Sequence, residues 1–470
     1  MPPTRSRPQS RCAERPSVSA RCVSEQVQSD QVQSGGVQSG GVQSEQSSRG
    51  LRAAFYGDDF TGSVDALLQF SRRGWRGRLF VGLPGDDALA QAAASCDVVG
   101  IAGIARSLST DRLDDELRPV FQALTRLGPH VLQYKACSTA DSSPAIGSIG
   151  RVIEIGREVV SDAPVPMLFA QPDFGRYTVF GHHFAAEGAT VYRLDRQPTM
   201  STHPTTPMTE SDLAVHLGRQ TALPIGAVAH TAFGAPGDLA AALHDSPAAA
   251  LVLDALDETH LVAIGEAIRS LPGPVFAVGS GGLSHGVAAA DPGSASPPPT
   301  RTSSSGPILA VSGSRSAQTR RQADAAAAAG WLVRPLPLDG SDAVLDEVIA
   351  ALGAGRSVVL TSDDADIAAA ADRPVLEAIA ECAASVVSAA VRAGATGRVI
   401  VCGGDTSSRI TGLLGVGSLS IAANPWANIV LLRAHAADPA IDGLELLLKG
   451  GQVGEVDLFD RILALGEPGL

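Results

Sequence analysis

The chain has 470 residues, 44% of them hydrophobic, and a formal net charge of −13 at pH 7. That length exceeds one ordinary domain, so we expect two. The negative charge gives no broad attraction for nucleic acid or anionic membranes, and the six scattered cysteines form no CxxC pair. Because membrane-length apolar runs and a signal-peptide core are also missing from the sequence, we expect a cytoplasmic protein.

Residues 1–50 differ in composition from the rest of the chain. They contain no aromatic residue, and a Val-Gln-Ser triplet recurs at intervals of five residues. Five matches neither the helix nor the strand period, and such sparse valines cannot offset the entropy of ordering. We therefore predict a disordered, low-complexity tail over residues 1–50.

Alternating strand and helix patterns begin at Leu51. Strands are predicted over 52–56, 98–102 and 131–134, with helical patterns over 63–73 and 111–127. Strands that alternate with helices favour a parallel sheet, so the fold class is α/β.

A stretch rich in Pro and Ser over residues 291–306 is typical of a linker. Beyond it, strands are predicted over 307–311, 357–361, 398–402 and 429–433. We therefore predict two domains, 51–290 and 307–470, each a largely parallel sheet flanked by helices. A cleft between them is the expected active site.

Asp58 and Asp59 follow the first predicted strand, at the end of a strand where open α/β sheets bind ligands. Adjacent carboxylates repel each other, so a cation or a substrate proton would relieve them. One of them could hold Mg²⁺ or accept a hydroxyl proton, and Asp59 is favoured as the base. The alternative is a turn with an aspartate helix cap.

Two loops of the second domain lead from a strand into a helix and suit phosphate. They contain Ser312 and Ser314 in one case and Gly403 and Gly404 in the other, and a helix start offers free N–H groups. Lys449, beside glycines, could approach a phosphate or a purine. Helix caps and a surface lysine are the alternatives, and the Walker A pattern is absent.

Further polar residues lie at predicted strand ends in the first domain. Arg106 and Lys135 are cations that could pair with a substrate carboxylate, or could be ordinary surface charge. His182 and His183 are adjacent, so on a strand they point to opposite sides. One of them can face the pocket, and a structural histidine is the alternative.

In their order, these motifs resemble the four-carbon acid sugar kinase family, which includes kinases for threonate, erythronate and 3-oxo-tetronates. The resemblance covers residues 51–460. The matching segments, in order, are Tyr56-Gly-Asp-Asp-Phe-Thr-Gly62, Arg106-Ser107, Lys135-x-x-Ser-Thr139, Ser312-Gly-Ser-x-Ser316, Gly403-Gly-Asp-Thr406 and Lys449-Gly-Gly-x-x-Gly454.

The resemblance implies an N-terminal domain that binds the sugar acid and a C-terminal domain that binds ATP, with Mg²⁺ as the metal. Asp58 and Asp59 are then the catalytic candidates. The candidates for binding the sugar acid are Thr61, Arg106, Lys135, Ser138, Thr139 and His183. The candidates for binding the nucleotide are Ser312, Ser314, Gly403, Gly404, Asp405, Thr406 and Gly451.

One segment departs from the family pattern, which is Lys-x-Asp-Ser-Thr followed by Leu-Arg-Gly. Here Cys137 stands in place of the aspartate, and Ala140-Asp141-Ser142 replaces Leu-Arg-Gly. A carboxylate and a guanidinium are lost together, which predicts a different sugar acid from that of the commonest members, such as a branched or oxo-acid.

We therefore expect an ATP-dependent kinase that phosphorylates a hydroxyl group of a small, four-carbon or similar sugar acid in carbohydrate catabolism. Its partners would be the sugar acid and ATP, and a homodimer is one option. A haloacid-dehalogenase-type phosphatase is an alternative, but its chemistry needs Asp-x-Asp spacing. A non-enzymatic two-domain sensor of small ligands is another, and ATP consumption separates the three.

Overall fold

The computed structural model describes residues 50–235, 237–302, 304–338, 342–363, 365–366 and 374–466. The predicted tail therefore lies outside the described residues except for Gly50. Within the described part, each helix is too short or too polar to cross a membrane.

The strands agree with the predicted ones to within two residues at most boundaries, apart from 429–433, which is the start of a longer strand. They are β1 (Ala53–Gly57), β2 (Gly77–Val81), β3 (Val98–Ala102), β4 (Val131–Lys135), β5 (Val165–Leu168), β6 (Arg176–Val179), β7 (His182–Glu187), β8 (Thr190–Arg193), β9 (Ile225–Val228), β10 (Ala250–Leu253), β11 (Val275–Gly279), β12 (Leu309–Ser312), β13 (Leu332–Pro335), β14 (Val358–Thr361), β15 (Arg398–Cys402), β16 (Val416–Trp426), β17 (Ile429–Ala436) and β18 (Glu445–Lys449).

Helices fill most of the connections between these strands. They are α1 (Phe60–Arg72), α2 (Asp86–Ser95), α3 (Leu113–Arg126), α4 (Ile149–Val159), α5 (Pro198–Ser201), α6 (Leu213–Gly218), α7 (Asp238–His244), α8 (Glu258–Ser270), α9 (Gly281–Ala290), α10 (Ala317–Ala328), α11 (Asp342–Gly353), α12 (Val375–Arg392), α13 (Gly404–Leu413) and α14 (Leu458–Ala464).

One fifteen-stranded sheet runs through both halves of the chain. Its order is β13-β14-β12-β15-β18-β17-β16-β2-β3-β1-β4-β11-β5-β10-β9. The pairs are parallel except for those that involve β16 and β17. The sequence predicted one sheet for each domain, and the structure joins the two sheets edge to edge where Ser418 and Leu419 pair with Phe80 and Leu79.

Successive residues of β1 face two separate helical layers. Ala53 and Phe55 pack in the cluster that contains α1 and α9, whereas Ala54 and Tyr56 pack in the cluster that contains α3 and α4. Burial on both faces is what a parallel sheet covered by helices requires, and it explains why its strands are apolar runs without alternation.

The predicted linker, residues 291–306, contains no helix or strand among its described residues. It nevertheless packs on both halves of the chain. The carbonyl oxygen of Asp291 accepts a hydrogen bond from the Trp75 indole, and that of Pro299 accepts the Asn424 backbone N–H at 2.8 Å. Asn424 in turn accepts two hydrogen bonds of 3.1 Å from Arg72 at the end of α1. The linker therefore lies along the junction of the two halves.

A small antiparallel sheet, β6-β7-β8, stands apart from the main sheet. It carries the predicted histidine pair on β7, with His182 half-buried and His183 fully buried. The segment after β8 leads through the short helix α5 to residues 202–208, which return to the edge of the main sheet.

Candidate active site

The carboxyl ends of β1, β3 and β4 lie side by side, because Gly57 pairs in register with both Ala102 and Lys135. Residues that follow these strands therefore meet at one edge, as ligand sites of α/β sheets do. A cavity of about 470 Å³ lies at this edge. Its lining residues are Asp58, Asp59, Phe60, Thr61, Gly103, Ile104, Arg106, Ser107, Asp141, Ile146, His203, Thr205, Thr206, Gly404 and Ser408.

Arg106 binds both adjacent aspartates. Its Nη2 and Nε lie 2.7 and 3.2 Å from the two oxygens of Asp58, and its Nη1 lies 2.6 Å from Asp59 Oδ2. The Asp58 side chain is 3% exposed, and burial raises the pKa of its carboxyl group while Arg106 opposes that rise. The repulsion expected between the two carboxylates is thus relieved by a guanidinium of the protein itself.

Asp59 both faces the cavity and caps helix α1. Its Oδ1 accepts the Gly62 backbone N–H at 2.7 Å, and its side chain is 33% exposed. A Cβ at Gly62 would collide with that oxygen and would lie 3.1 Å from Lys135 Nζ, so a glycine is required there. The helix therefore begins three residues before the predicted start, because its cap is Asp59.

Four predicted substrate-binding residues are not among the lining residues of the cavity: Lys135, Ser138, Thr139 and His183. Lys135 is 3% exposed, and its Nζ donates to the Ala136 carbonyl at 3.0 Å and lies 3.8 Å from Asp65. Thr139 Oγ1 donates to Asp141 Oδ1 at 2.7 Å. These side chains therefore support the wall of the cavity, and Asp141 belongs to that wall.

His183 has a structural environment. Its Nε2 lies 2.8 Å from the Ser138 carbonyl oxygen, which can only accept, so this nitrogen carries the hydrogen. Its Nδ1 lies 2.9 Å from the Thr178 hydroxyl group. Burial lowers the pKa of His183 to about 4, so the ring is neutral at physiological pH. His183 therefore holds the loop after β4 in place through the Ser138 carbonyl group.

Cys137 is a neutral thiol at the position where the family pattern has an aspartate. Its Sγ lies 3.0 Å from Thr139 Oγ1, and burial raises its pKa to about 11. None of the four described cysteines forms a disulfide.

The segments predicted to bind nucleotide converge in the second half of the chain. Gly313 N–H donates to the Cys402 carbonyl at 3.0 Å, and Gly403 N–H donates to the Lys449 carbonyl at 2.9 Å. Ser316 Oγ donates to the Gly451 carbonyl at 2.6 Å. Adjacent strands β12, β15 and β18 bring these segments together, as the parallel order requires.

Glycine is needed at several of these contacts. Gly403 has a φ of 121°, a conformation that L-residues rarely adopt. A Cβ at Gly313 would collide with Thr406 Oγ1, and one at Gly451 would collide with Ser314 Oγ. The predicted loops therefore form one tightly packed cradle. Asp405 lies in the first turn of α13, but its side chain is outside the described part of the structure.

Lys449 supplies a buried cation to this cradle. Its side chain is 3% exposed, and its Nζ donates to Thr319 Oγ1 at 3.1 Å and to the Gly450 carbonyl at 3.2 Å. Both acceptors are uncharged, so the positive charge is available to an anionic ligand. Lys449 also lines a smaller cavity of about 140 Å³ together with Thr61 and Asp65 of the first half.

Residues of both halves line the cavity of about 470 Å³, since Gly404 and Ser408 of α13 lie there together with Asp58 and Asp59.

A larger cavity of about 820 Å³ lies at the opposite edge of the sheet, beside Leu51, Val131 and Pro274, and contains none of the predicted site residues. Size alone thus does not identify the site here, because the convergent charged groups lie at the smaller cavity.

Several lining residues are not among the site residues predicted from the sequence, among them Ser107, Asp141, Ile146, His203, Thr205, Thr206 and Ser408. Three of them lie in residues 196–208, a run too rich in Pro and Thr for a regular element, which the sequence indicates is a functional or capping loop. The structure shows where that loop lies.

Two family models match the chain. One, described as a sugar-binding N-terminal domain, matches residues 53–287, and the other, described as a nucleotide-binding C-terminal domain, matches residues 309–459. The chain belongs to the four-carbon acid sugar kinase family.

Several curated proteins are similar over most of their length. A 3-oxo-isoapionate kinase of Paraburkholderia graminis is 37% identical, over 88% of this chain and 94% of that protein. A 3-oxo-tetronate kinase of Pseudomonas fluorescens is 29% identical, over 86% and 95%. A D-threonate kinase of Bordetella bronchiseptica is 27% identical, again over 86% and 95%.

Two crystal structures share the fold. One from Salmonella typhimurium LT2 has a TM-score of 0.70 at 24% identity, covering 87% of this chain and 98% of that one. One from Haemophilus influenzae has a TM-score of 0.70 at 21% identity, covering 88% and 100%.

These findings confirm the family, the two-domain α/β fold class and the enzyme class that the sequence predicted. The protein is an ATP-dependent kinase that phosphorylates a hydroxyl group of a small sugar acid. The phosphatase and sensor alternatives are not favoured.

Proposed function

We propose that this kinase transfers the γ-phosphoryl group of ATP to a hydroxyl group of a 3-oxo sugar acid of the 3-oxo-isoapionate type. The observation that carries the proposal is the similarity to the 3-oxo-isoapionate kinase, which is 37% identical, against 29% for a 3-oxo-tetronate kinase and 27% for a D-threonate kinase.

The wall formed by residues 137–141 supports a substrate that differs from threonate. Thr139 Oγ1 contacts both the neutral Cys137 thiol and the Asp141 carboxylate, at 3.0 and 2.7 Å. Compared with the family pattern, the carboxylate has moved from position 137 to 141 and the guanidinium is missing. The wall therefore offers an acceptor for substrate hydroxyl groups, and Arg106 remains as the guanidinium for a substrate carboxylate.

We base the catalytic roles on the exposure of the two carboxylates. Asp59 faces the cavity with a partly exposed carboxylate, so we assign it the task of orienting and deprotonating the substrate hydroxyl group. Asp58 is buried with both oxygens on Arg106, so it holds that guanidinium in place. Ser312, Ser314, Thr406 and Gly451 would hold the nucleotide phosphates with their loops.

Lys135, Ser138, Thr139 and His183 are assigned a supporting role for the sugar acid. They hold the loop after β4 in shape, whereas Thr61 lines the cavity in which the sugar acid would bind. Lys449 would neutralise phosphate charge on the nucleotide side.

Phosphoryl transfer also needs Mg²⁺, which proteins bind through one or two carboxylates together with the phosphates. The described residues contain no group of three or more acidic, histidine or cysteine side chains that could hold a metal alone. A single carboxylate of the chain is enough for this mode of binding. We assign it to Asp405, which follows the cavity residue Gly404 in the first turn of α13, because Asp59 has the role of base. The metal would neutralise charge that develops on the transferring phosphoryl group.

We further propose that residues 51–290 form the sugar-acid-binding domain and residues 307–470 the nucleotide-binding domain, with 291–306 as the linker. The two family matches, 53–287 and 309–459, lie inside these bounds. A cytoplasmic location and a homodimer complete the proposal, and light scattering on the purified protein tests the dimer.

The substrate is tested with purified protein, ATP and Mg²⁺ against 3-oxo-isoapionate, 3-oxo-tetronates, threonate and erythronate, with ADP release as the readout. We expect kcat/KM to be highest for 3-oxo-isoapionate, by about tenfold or more, a margin of about 1.4 kcal/mol. Equal or better turnover of threonate or erythronate would refute the substrate assignment.

A further inference from the structure

The loop that carries His203 is held at both ends. Gln197 Oε1 accepts the Met200 N–H at 2.6 Å, which starts helix α5, and Met208 N–H donates to the Met200 carbonyl at 2.9 Å. Met200, Thr206 and Met208 are 6%, 4% and 1% exposed. His203 lies between these buried anchors and lines the cavity of about 470 Å³. Its position is therefore fixed by the loop.

The hydrogen bonds of His203 determine its tautomer. Its Nδ1 accepts the Thr206 backbone N–H at 3.1 Å and lies 2.9 Å from Thr206 Oγ1. A backbone N–H can only donate, so Nδ1 carries a lone pair, and the neutral ring must carry its hydrogen on Nε2. Nε2 has no hydrogen-bond partner in the described part of the chain, so this N–H donor is left for a ligand of the cavity that His203 lines.

The charged groups of the cavity leave few free donors for the oxygens of a substrate. Asp58, Asp59 and Asp141 offer acceptor oxygens, and the guanidinium of Arg106 is already bonded to the first two. A 3-oxo sugar acid brings acceptor-only oxygens in its carbonyl and carboxylate groups. A neutral donor suits such an oxygen, and an unpaired donor in the cavity would discriminate against substrates that lack it.

We infer that His203 is a substrate-binding residue whose Nε2–H group donates a hydrogen bond to an oxo or carboxylate oxygen of the sugar acid. The inference rests on the proposed function, since it concerns the substrate of the same site. It assigns a role to a loop that lies outside the six segments matched to the family in the sequence analysis.

Two substitutions separate this role from a structural one. His203→Asn retains an acceptor at the position of Nδ1, so the turn to Thr206 is kept, but it removes the Nε2 donor. His203→Gln retains a donor at the distance of Nε2 but loses the acceptor. We expect His203→Asn to raise the sugar-acid KM about tenfold, with the ATP KM and melting temperature unchanged, and His203→Gln to retain most of the affinity.

A structural role predicts the opposite ranking, with His203→Asn equal to the wild type and His203→Gln impaired or less stable. That ranking, or sugar-acid KM values within twofold for wild type and His203→Asn, would overturn the inference. The measurement uses whichever sugar acid the wild-type enzyme turns over best, so it stays decisive even if 3-oxo-isoapionate fails as a substrate.

Comparison of an oxo-acid with its reduced hydroxy-acid identifies the oxygen that is bound. If His203 binds the oxo group, His203→Asn lowers kcat/KM for the oxo-acid more than for the hydroxy-acid. If it binds the carboxylate, both values fall equally. Either pattern supports the inference and names the contact.

Discussion

Asp59→Asn tests the proposed chemistry most directly, because an amide keeps the helix cap but removes both the ion pair with Arg106 and the basic carboxylate. Asn caps a helix as well as Asp does, so the bond to Gly62 N–H, now 2.7 Å, should survive. The ion pair with Arg106 joins side chains that are 33% and 27% exposed, so its loss should cost at most about 1 kcal/mol of unfolding free energy.

Loss of the base should have a much larger effect on turnover. We expect kcat to fall by about 10²–10⁴, the usual contribution of a positioned acid or base, which corresponds to about 2.7–5.5 kcal/mol. Sugar-acid affinity should fall much less. The assay is ADP release at saturating ATP and sugar acid, with a thermal melt as the control for folding.

Asp58→Asn is the matched control, because it changes the adjacent carboxylate. It should lower the melting temperature and raise the sugar-acid KM, since two bonds that hold Arg106 are weakened. If this variant loses turnover while Asp59→Asn keeps it within tenfold of the wild type, the base is Asp58. If both variants keep near wild-type kcat, the mechanism is wrong.

Three further predictions concern the nucleotide, the sugar acid and pH. Gly404→Val should raise the ATP KM by about tenfold or more without unfolding the protein, since no heavy atom lies within 4 Å of a Cβ there, and unchanged ATP affinity by calorimetry would remove this loop from the phosphate site. Lys135→Met should weaken sugar-acid binding but leave ATP binding intact, and equal loss of both ligands in calorimetry would indicate misfolding. Burial holds the pKa of His183 and His216 at about 4, below the usual 6.5, so their stabilising contribution is complete above pH 6.5 and is lost as the pH falls towards 4, by about 1.4 kcal/mol per unit for each residue. Denaturant unfolding at pH 7.5 and 5.0 measures this slope, which His183→Gln should reduce; an unchanged slope would show that His183 does not cause it.

The local patterns of the main sheet could be predicted from the sequence because its strands are short apolar runs. β3 and β15 begin and end at the predicted residues. The alternation of strands with helices correctly predicted that most of the strands pair in parallel. The part of the candidate site that lies in the first half follows from the same pattern, since parallel strands collect the residues that follow them at one edge. Asp59 and Arg106 reach one cavity by this rule, whereas Gly404 reaches it only through the antiparallel junction of the two halves.

Long-range pairing could not be predicted in the same way. The antiparallel pair β16 and β17 joins the two halves of the sheet, and the sequence indicated one short strand in that region. Its residues are half-buried at many positions, so hydrophobic periodicity gives a weak signal. The edge contact between β16 and β2 depends on where two separate domains meet, which no local pattern specifies.

The environment of individual side chains could not be predicted from the sequence either. His183 and His203 are equally polar in the sequence, yet His183 is fully buried behind a loop and His203 lines the cavity. The difference arises from tertiary packing: β7 lies under the segment that contains Ser138, whereas residues 202–208 lie over the sheet edge. A lone histidine is compatible with either position until the fold is known.

The distribution of charge explains why the site needs both halves of the chain. On the first half, Asp58 and Asp59 outnumber Arg106, so this group alone carries a net negative charge and disfavours an anionic substrate. ATP would add further negative charge. The buried ammonium of Lys449, with uncharged oxygens as hydrogen-bond partners, stands on the second half and lines a cavity shared with Thr61 of the first. Under the proposed assignment, a metal brought with the nucleotide would add to that positive charge. Under that assignment, Lys449 and the metal offset part of the negative charge of the nucleotide beside the carboxylates of the first half, which is why phosphoryl transfer would need both halves of the chain.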